Sequence, residues 1–141
     1  MASFVDTNIL IYALVADEQT SADKVDIARR LISDLSRSGE LVLSAQVLGE
    51  FSVNAMRKGN PPLTMEQTFA RVTELRRQRI IPVDDSLVEK ALQRMRQSHI
   101  SYWDAQIVEA AIRSGASILY TEDLHNGTVY DGVEIRDPFL R

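Results

Sequence analysis

The feature that most constrains this chain is an alternation. Short apolar runs are separated by long amphipathic segments whose apolar positions recur three and four residues apart. Ala2 to Val5, Leu41 to Leu43, Ile80 to Val83, Ser117 to Tyr120 and Val133 to Ile135 read as strands. Each is apolar almost throughout rather than at every second position, the pattern of strands covered on both faces. Between them, Ser21 to Ser36 carries Val25, Ala28, Leu31, Ile32 and Leu35 on one helical face, with Gly39 as a stop. Ser44 caps a helix running to Lys58, where Gly59-Asn60-Pro61-Pro62 breaks the chain. Thr64 with Gln67 has the capping-box pattern and opens a helix bearing Phe69, Val72 and Leu75. Asp84, Asp85 or Ser86 caps the next helix, with Val88, Ala91, Leu92 and Met95 on its apolar side. Ser101 begins a helix to Ser114 with the stripe Trp103, Ile107, Ala110 and Ala111, ended by Gly115. The pattern predicts an α/β fold of three layers, a central parallel sheet flanked by helices. No repeat or linker interrupts it, so residues 1–141 are expected to form a single domain.

Composition narrows the function. The 141 residues are 45% apolar and 26% charged, ordinary for one folded domain rather than a disordered chain. Sixteen Lys+Arg against 20 Asp+Glu give a net charge of -4, so any nucleic-acid contact must use a local basic patch rather than an overall basic field. The absence of Cys excludes disulfide scaffolds, thiolate zinc sites and cysteine nucleophiles, and the two His lie far apart. The most apolar stretch, Phe4 to Val15, is interrupted by Asp6 and Asn8 and falls short of the ~20 residues a membrane span needs. Without a secretory signal pattern, a cytoplasmic setting is the expectation.

In parallel α/β sheets ligands bind at the carboxyl ends of the strands. Asp6 follows the first strand, and Asp123 follows the strand ending at Tyr120, within Thr121-Glu122-Asp123. Glu50 sits in a helix beside Val47 and Phe51, and Asp104 lies in the first turn of a helix after Trp103. Two carboxylates about 4 Å apart repel by roughly 4 kcal/mol at an effective dielectric of 20, so such a group calls for something positive between its members. Oxygen donors suit Mg²⁺ or Mn²⁺, which would activate water and bind a scissile phosphate without a Ser, Cys or His nucleophile. Each acid also has an ordinary reading. Asp104 suits a helix N-terminus, Glu50 has Arg57 and Lys58 within two turns, Asp6-Thr7-Asn8 makes a capping turn, and Asp123 adjoins the turn formers Asn126-Gly127.

Taken together, Phe4-Val5-Asp6-Thr7-Asn8, Gly49-Glu50-Phe51, Tyr102-Trp103-Asp104-Ala105 and Thr121-Glu122-Asp123-Leu124, with the closing Asp137-Pro138-Phe139, resemble a PIN domain. The resemblance runs essentially from end to end and is nearest to the VapC-type toxin ribonucleases of prokaryotic toxin–antitoxin pairs. It implies a metal-dependent endoribonuclease cutting single-stranded or looped RNA, with Mg²⁺ or Mn²⁺ as cofactor. By the same resemblance Asp6, Glu50, Asp104 and Asp123 are the catalytic acids. Asp6, Asp104 and Asp123 are metal ligands, Glu50 is a ligand or orients water, and Thr7, Asn8 and Thr121 hold the carboxylates in place. Glu122 is a fifth acid beside Asp123. The implied partners are RNA, a cognate antitoxin and a second copy in a homodimer, with no membrane. The antitoxin groove is expected between the helices Ser21 to Ser36 and Ser44 to Lys58. Of 13 Arg, Arg71, Arg76, Arg77 and Arg79 cluster at one helix end, either an RNA track or a solvated face.

Three other readings use the same inventory. A haloacid-dehalogenase-like phosphatase also places an Asp after its first strand, but expects a second Asp where Asn8 stands. A receiver-like phospho-signalling domain would use an acidic pair such as Asp84-Asp85, but after its first strand and with a Lys after its last. Metal-free RNA cleavage by His99 and His125 rests only on their being the two His.

Overall fold

A computed structural model describes residues 1–140. In chain order the elements are β1 (Ser3–Val5), α1 (Thr7–Leu14), α2 (Ala22–Ser38), β2 (Leu41–Ser44), α3 (Ala45–Arg57) and α4 (Met65–Leu75). There follow β3 (Arg79–Ile81), α5 (Asp85–Ser98), α6 (Tyr102–Ser114), β4 (Ile118–Tyr120), β5 (Val129–Tyr130) and β6 (Val133–Arg136). One sheet has the order β3-β2-β1-β4-β6-β5, with parallel pairing from β3 through β6. Phe4, Val5, Leu43 and Leu119 are fully buried, as strands covered on both faces must be. On one side α1 rests against α2 and α3, and on the other α5 and α6 pair, with α6 lying on β2, β3 and β4. Ala105, Ala110 and Ala111 keep α6 thin enough to lie close to the sheet, and all three are buried.

The caps carry the chemistry the sequence announces. Ser21, Ser44 and Ser101 accept from the backbone N–H three residues on, and Thr64 and Gln67 form the reciprocal capping box. Gly39 and Gly115 end α2 and α6 in the left-handed conformation, at φ 74 and 75.

Three expectations are corrected. The third strand is Arg79–Ile81 rather than Ile80 to Val83, because Pro82 has no N–H to extend the ladder and Asp84 is already capping α5. The sheet is not wholly parallel, since β5 pairs antiparallel with β6 through the turn at Asp131-Gly132. On α5 the buried face is Leu87 and Ala91, while Val88, Leu92 and Met95 remain 37 to 52% exposed.

Topology selects one end of the sheet as the place for a ligand. From β1 the chain moves outward to β2 and β3, then returns to place β4 on the other side of β1. The crevice beyond the carboxyl ends of β1 and β4 is therefore a switch point, where β1 runs into α1 and β4 into the loop that precedes β5.

Candidate active site

The register Val5↔Tyr120 places the next residues of β1 and β4, Asp6 and Thr121, side by side at that switch point. Thr121 Oγ1 donates to Asp6 Oδ2 at 2.8 Å, and Thr7 N–H donates to Oδ1 at 2.7 Å as Asp6 caps α1. Thr121 Oγ1 also accepts the Asp123 N–H at 3.1 Å, so one hydroxyl links the two strand-end acids. Thr7 Oγ1 donates to Glu50 Oε1 at 2.9 Å, tying α1 to α3. The sequence left Glu50 a choice between a basic residue on its own helix and a place in the site, and its bond is to Thr7.

Asp104 arrives from the first turn of α6, its N–H donating to Ser101 Oγ at 3.1 Å. Gln46 fixes the junction between α3 and α6, its Nε2 donating to the Trp103 carbonyl and its Oε1 accepting from Gln106 Nε2. Asp6, Thr7, Asn8, Gln46, Glu50, Asn54, Trp103, Asp104, Ile107 and Asp123 line one cleft of about 90 Å³. All four predicted acids thus come together, along with Thr7 and Asn8, while Thr121 stands behind Asp6. Gln46 and Asn54 were not foreseen. Their spacing of four from Glu50, one on each side, is the signal that could have found them.

No Lys or Arg lines the cleft among the described residues, and the electrostatics follow. Asp6, 7% exposed, has its carboxyl pushed up to about 7, chiefly by burial and further by the charges of Asp123 and Glu50, against the pull of its two hydrogen bonds. Asp104 is raised too, by burial first and then by the same two acids, while Ser101 opposes. Among the described residues no three acidic or His side chains are drawn close enough to enclose an ion. The donor set nonetheless fits a hard divalent cation. It is all oxygen, carries several negative charges that no protein cation answers, and includes a carboxylate whose ionisation is costly where it stands.

Other acids have their own partners. Glu122 turns away from the cleft, accepting from Tyr12 Oη and Lys24 Nζ, each at 2.6 Å, and Lys24 lies 5.1 and 5.2 Å from the ring centres of Tyr12 and Phe139. Asp84 caps α5 and pairs with Arg113, which hold its carboxyl below the usual range, so the acid that suggested a receiver domain is committed to structure. Neither His99 nor His125 lines the acidic cleft. The Arg cluster is placed elsewhere as well. Arg79 begins β3 level with Phe4, two strands away, and its Nη1 donates to the carbonyl of Ser114, at the end of α6 remote from Asp104.

A PIN domain family model matches residues 3–126. The chain belongs to the PIN domain family. No curated protein matches it at a significant level. Among solved structures this PIN domain is similar to a toxin–antitoxin complex from Klebsiella pneumoniae, with a TM-score of 0.70 and 19% identity over 99% of this chain and 98% of that one. It is similar to Mycobacterium tuberculosis VapC20, a Sarcin-Ricin loop cleaving toxin, with a TM-score of 0.64 and 22% identity over 86% of this chain and 90% of that one. A third likeness is to FitAB bound to a DNA fragment, with a TM-score of 0.69 and 20% identity over 99% and 96% of the two chains. At these identities the likeness is one of fold.

Proposed function

We propose that this PIN domain is a metal-dependent endoribonuclease, the toxin of a toxin–antitoxin pair, acting in the cytoplasm. The observation that carries the reading is the cleft itself, whose lining carries four carboxylates from four separate segments and, among the described residues, no protein cation. Asp6, Asp104 and Asp123 would hold Mg²⁺ or Mn²⁺. When bound, the ion supplies Lewis acidity to the scissile phosphate and lowers the pKa of the attacking water. The protein's own part is positioning. Thr121 and the Thr7 N–H fix both oxygens of Asp6, and the Thr7 hydroxyl fixes one oxygen of Glu50, leaving the other to accept a proton from the attacking water. Asn8 and Asn54 supply neutral polar groups to the same cleft, suited to orienting a sugar or the phosphate that anionic walls repel.

The partners follow from the structural neighbours. One is a toxin–antitoxin complex from Klebsiella pneumoniae, and another is VapBC2 from Rickettsia felis bound to a DNA fragment from its promoter. A cognate antitoxin is proposed on that ground, and a homodimer on the family resemblance. The exposed Met65 and Phe69 beside Met56, in a cleft between α3 and α4, and the exposed Leu92 and Met95 on α5 provide apolar surface for such contacts.

The test is cleavage of a mixed structured-RNA pool by protein freed of any bound partner, with Mg²⁺ or Mn²⁺, comparing wild type with Asp6→Asn. Discrete metal-dependent cuts that vanish in the variant are expected. Equal cutting by both proteins would overturn the assignment of this cleft.

A further inference from the structure

Trp103 is the chain's sole Trp, and its place is unusual. Periodicity puts it on the same stripe as Ile107, Ala110 and Ala111, which are buried. Trp103 itself is 62% exposed, because the stripe runs past the edge of the core at the first turn of α6 and ends on the lip of the acidic cleft. A large aromatic ring left in water gains nothing for folding that a smaller residue would not. Its backbone, however, is held firmly. The Trp103 carbonyl accepts from Gln46 Nε2, Gln46 Oε1 accepts from Gln106 Nε2, and Gln106 Oε1 accepts from Tyr102 Oη. The Tyr102 ring meets that of Trp103 edge to face at 5.0 Å.

An exposed ring on a braced backbone, one residue before Asp104, is a surface for stacking. The cleft also explains why stacking is needed. Its acids repel a phosphate backbone, the Arg-rich end of β3 lies at the far edge of the sheet, and the net charge is negative. No Lys or Arg among the described residues lines the cleft, so an interaction that does not depend on positive protein charge suits its lip, and every nucleobase offers a π-face. We propose that Trp103 is the platform on which an unpaired base of the RNA stacks beside the scissile phosphate. This inference rests on the ribonuclease reading and adds to it the residue that holds the unpaired target nucleotide.

The lone Trp makes its own reporter. The Asp6→Asn protein, which should bind without cutting, is titrated in Mn²⁺ with a single-stranded oligoribonucleotide of mixed sequence and with the same strand annealed to its complement. Anisotropy of a labelled RNA is followed in parallel. Trp emission should be quenched by the single strand and not by the duplex. Added to Asp6→Asn, Trp103→Leu should weaken single-strand binding about tenfold, and Trp103→Tyr should recover most of the loss. Thermal unfolding of Trp103→Leu should match that of its parent, since an exposed ring contributes little to the core. Saturable RNA binding with unchanged Trp emission would overturn the proposal while leaving the ribonuclease reading intact. Emission that shifts with protein concentration alone would overturn it in favour of a contact between copies. An RNA pool neither bound by the variant nor cut by the metal-loaded wild type would remove both.

Discussion

Asp6→Asn should make the metal-free protein more stable at pH 8 and leave it no more stable, or slightly less, at pH 5. Asp6 is nearly buried, and its carboxyl is raised from 3.8 to about 7. The difference, at about 1.4 kcal/mol per unit, makes the ionised form costly by about 4 kcal/mol. Because the folded pKa lies above the unfolded one, the folded state binds the extra proton. Stability is therefore full below about pH 4 and declines as pH rises through about 7. Asn carries no charge to desolvate. It keeps the bond from the Thr7 N–H but presents an amide N–H where Thr121 Oγ1 now donates, which costs about 1 to 2 kcal/mol as that hydroxyl turns away. The net is a gain of about 2 kcal/mol at pH 8, disappearing on acidification.

Urea unfolding in EDTA, followed by circular dichroism from pH 5 to 8, measures this directly. Taking the difference between wild type and variant removes the pH dependence of Asp104 and Glu109, whose carboxyls are also raised. A difference that stays constant across that range would refute the reasoning, as would a variant less stable than wild type at pH 8. Saturating Mn²⁺ should then reverse the order at pH 8, adding about 2.7 kcal/mol to the wild type at a hundred times its dissociation constant and far less to the variant.

Three other perturbations have defined outcomes. Thr121→Val keeps the shape of a buried side chain but removes the donor to Asp6 and the acceptor for the Asp123 N–H, so Mn²⁺ affinity measured by calorimetry should fall about 10- to 100-fold with the fold retained. Arg94→Ala leaves Glu109 buried without its ion-pair partner and unties Asp131, in the β5–β6 turn, from α5; a loss of about 3 kcal/mol in denaturant unfolding is expected, and Glu109→Gln in the same chain should recover part of it. Gly59→Ala should destabilise by about 1 to 3 kcal/mol in the same assay, because φ is 97 and a Cβ there would stand 2.7 Å from Val15 Cγ1 and 3.1 Å from the Ala16 carbonyl.

What could be read without coordinates was local chemistry and burial on two faces. Ser21, Ser44, Thr64 and Ser101 cap helices because a short side-chain oxygen beside an amphipathic run has one good use, and each fills it. Buried parallel strands leave uninterrupted apolar runs, so β1, β2 and β4 were legible to within a residue. The pair Val129–Tyr130 was not, because it has no period of its own and exists by pairing with β6. Periodicity named the face on which Trp103 lies but could not say where along that face the core stops. Arg76, Arg77 and Arg79 form a cluster in sequence, yet only strand direction shows that they enter β3 at its amino end, away from Asp6.

The acids were legible as candidates and not as a site, and the reason is physical. Asp6 and Asp84 look alike in sequence, each following an apolar run and preceding a helix, and in the structure both cap that helix. What separates them is the reply from the rest of the protein. Asp84 is met by the Arg113 guanidinium, which lowers its pKa, and Glu122 is met by Lys24. Asp6 is met by a threonine hydroxyl and by other carboxylates, which together with burial leave its charge costly. A protein that can place Arg113 or Lys24 against one acid can place a cation against another. Leaving four acids in one cleft without one lowers the stability of the bare chain, a cost that a bound divalent cation can offset and that a purely structural role for Asp6 would not explain.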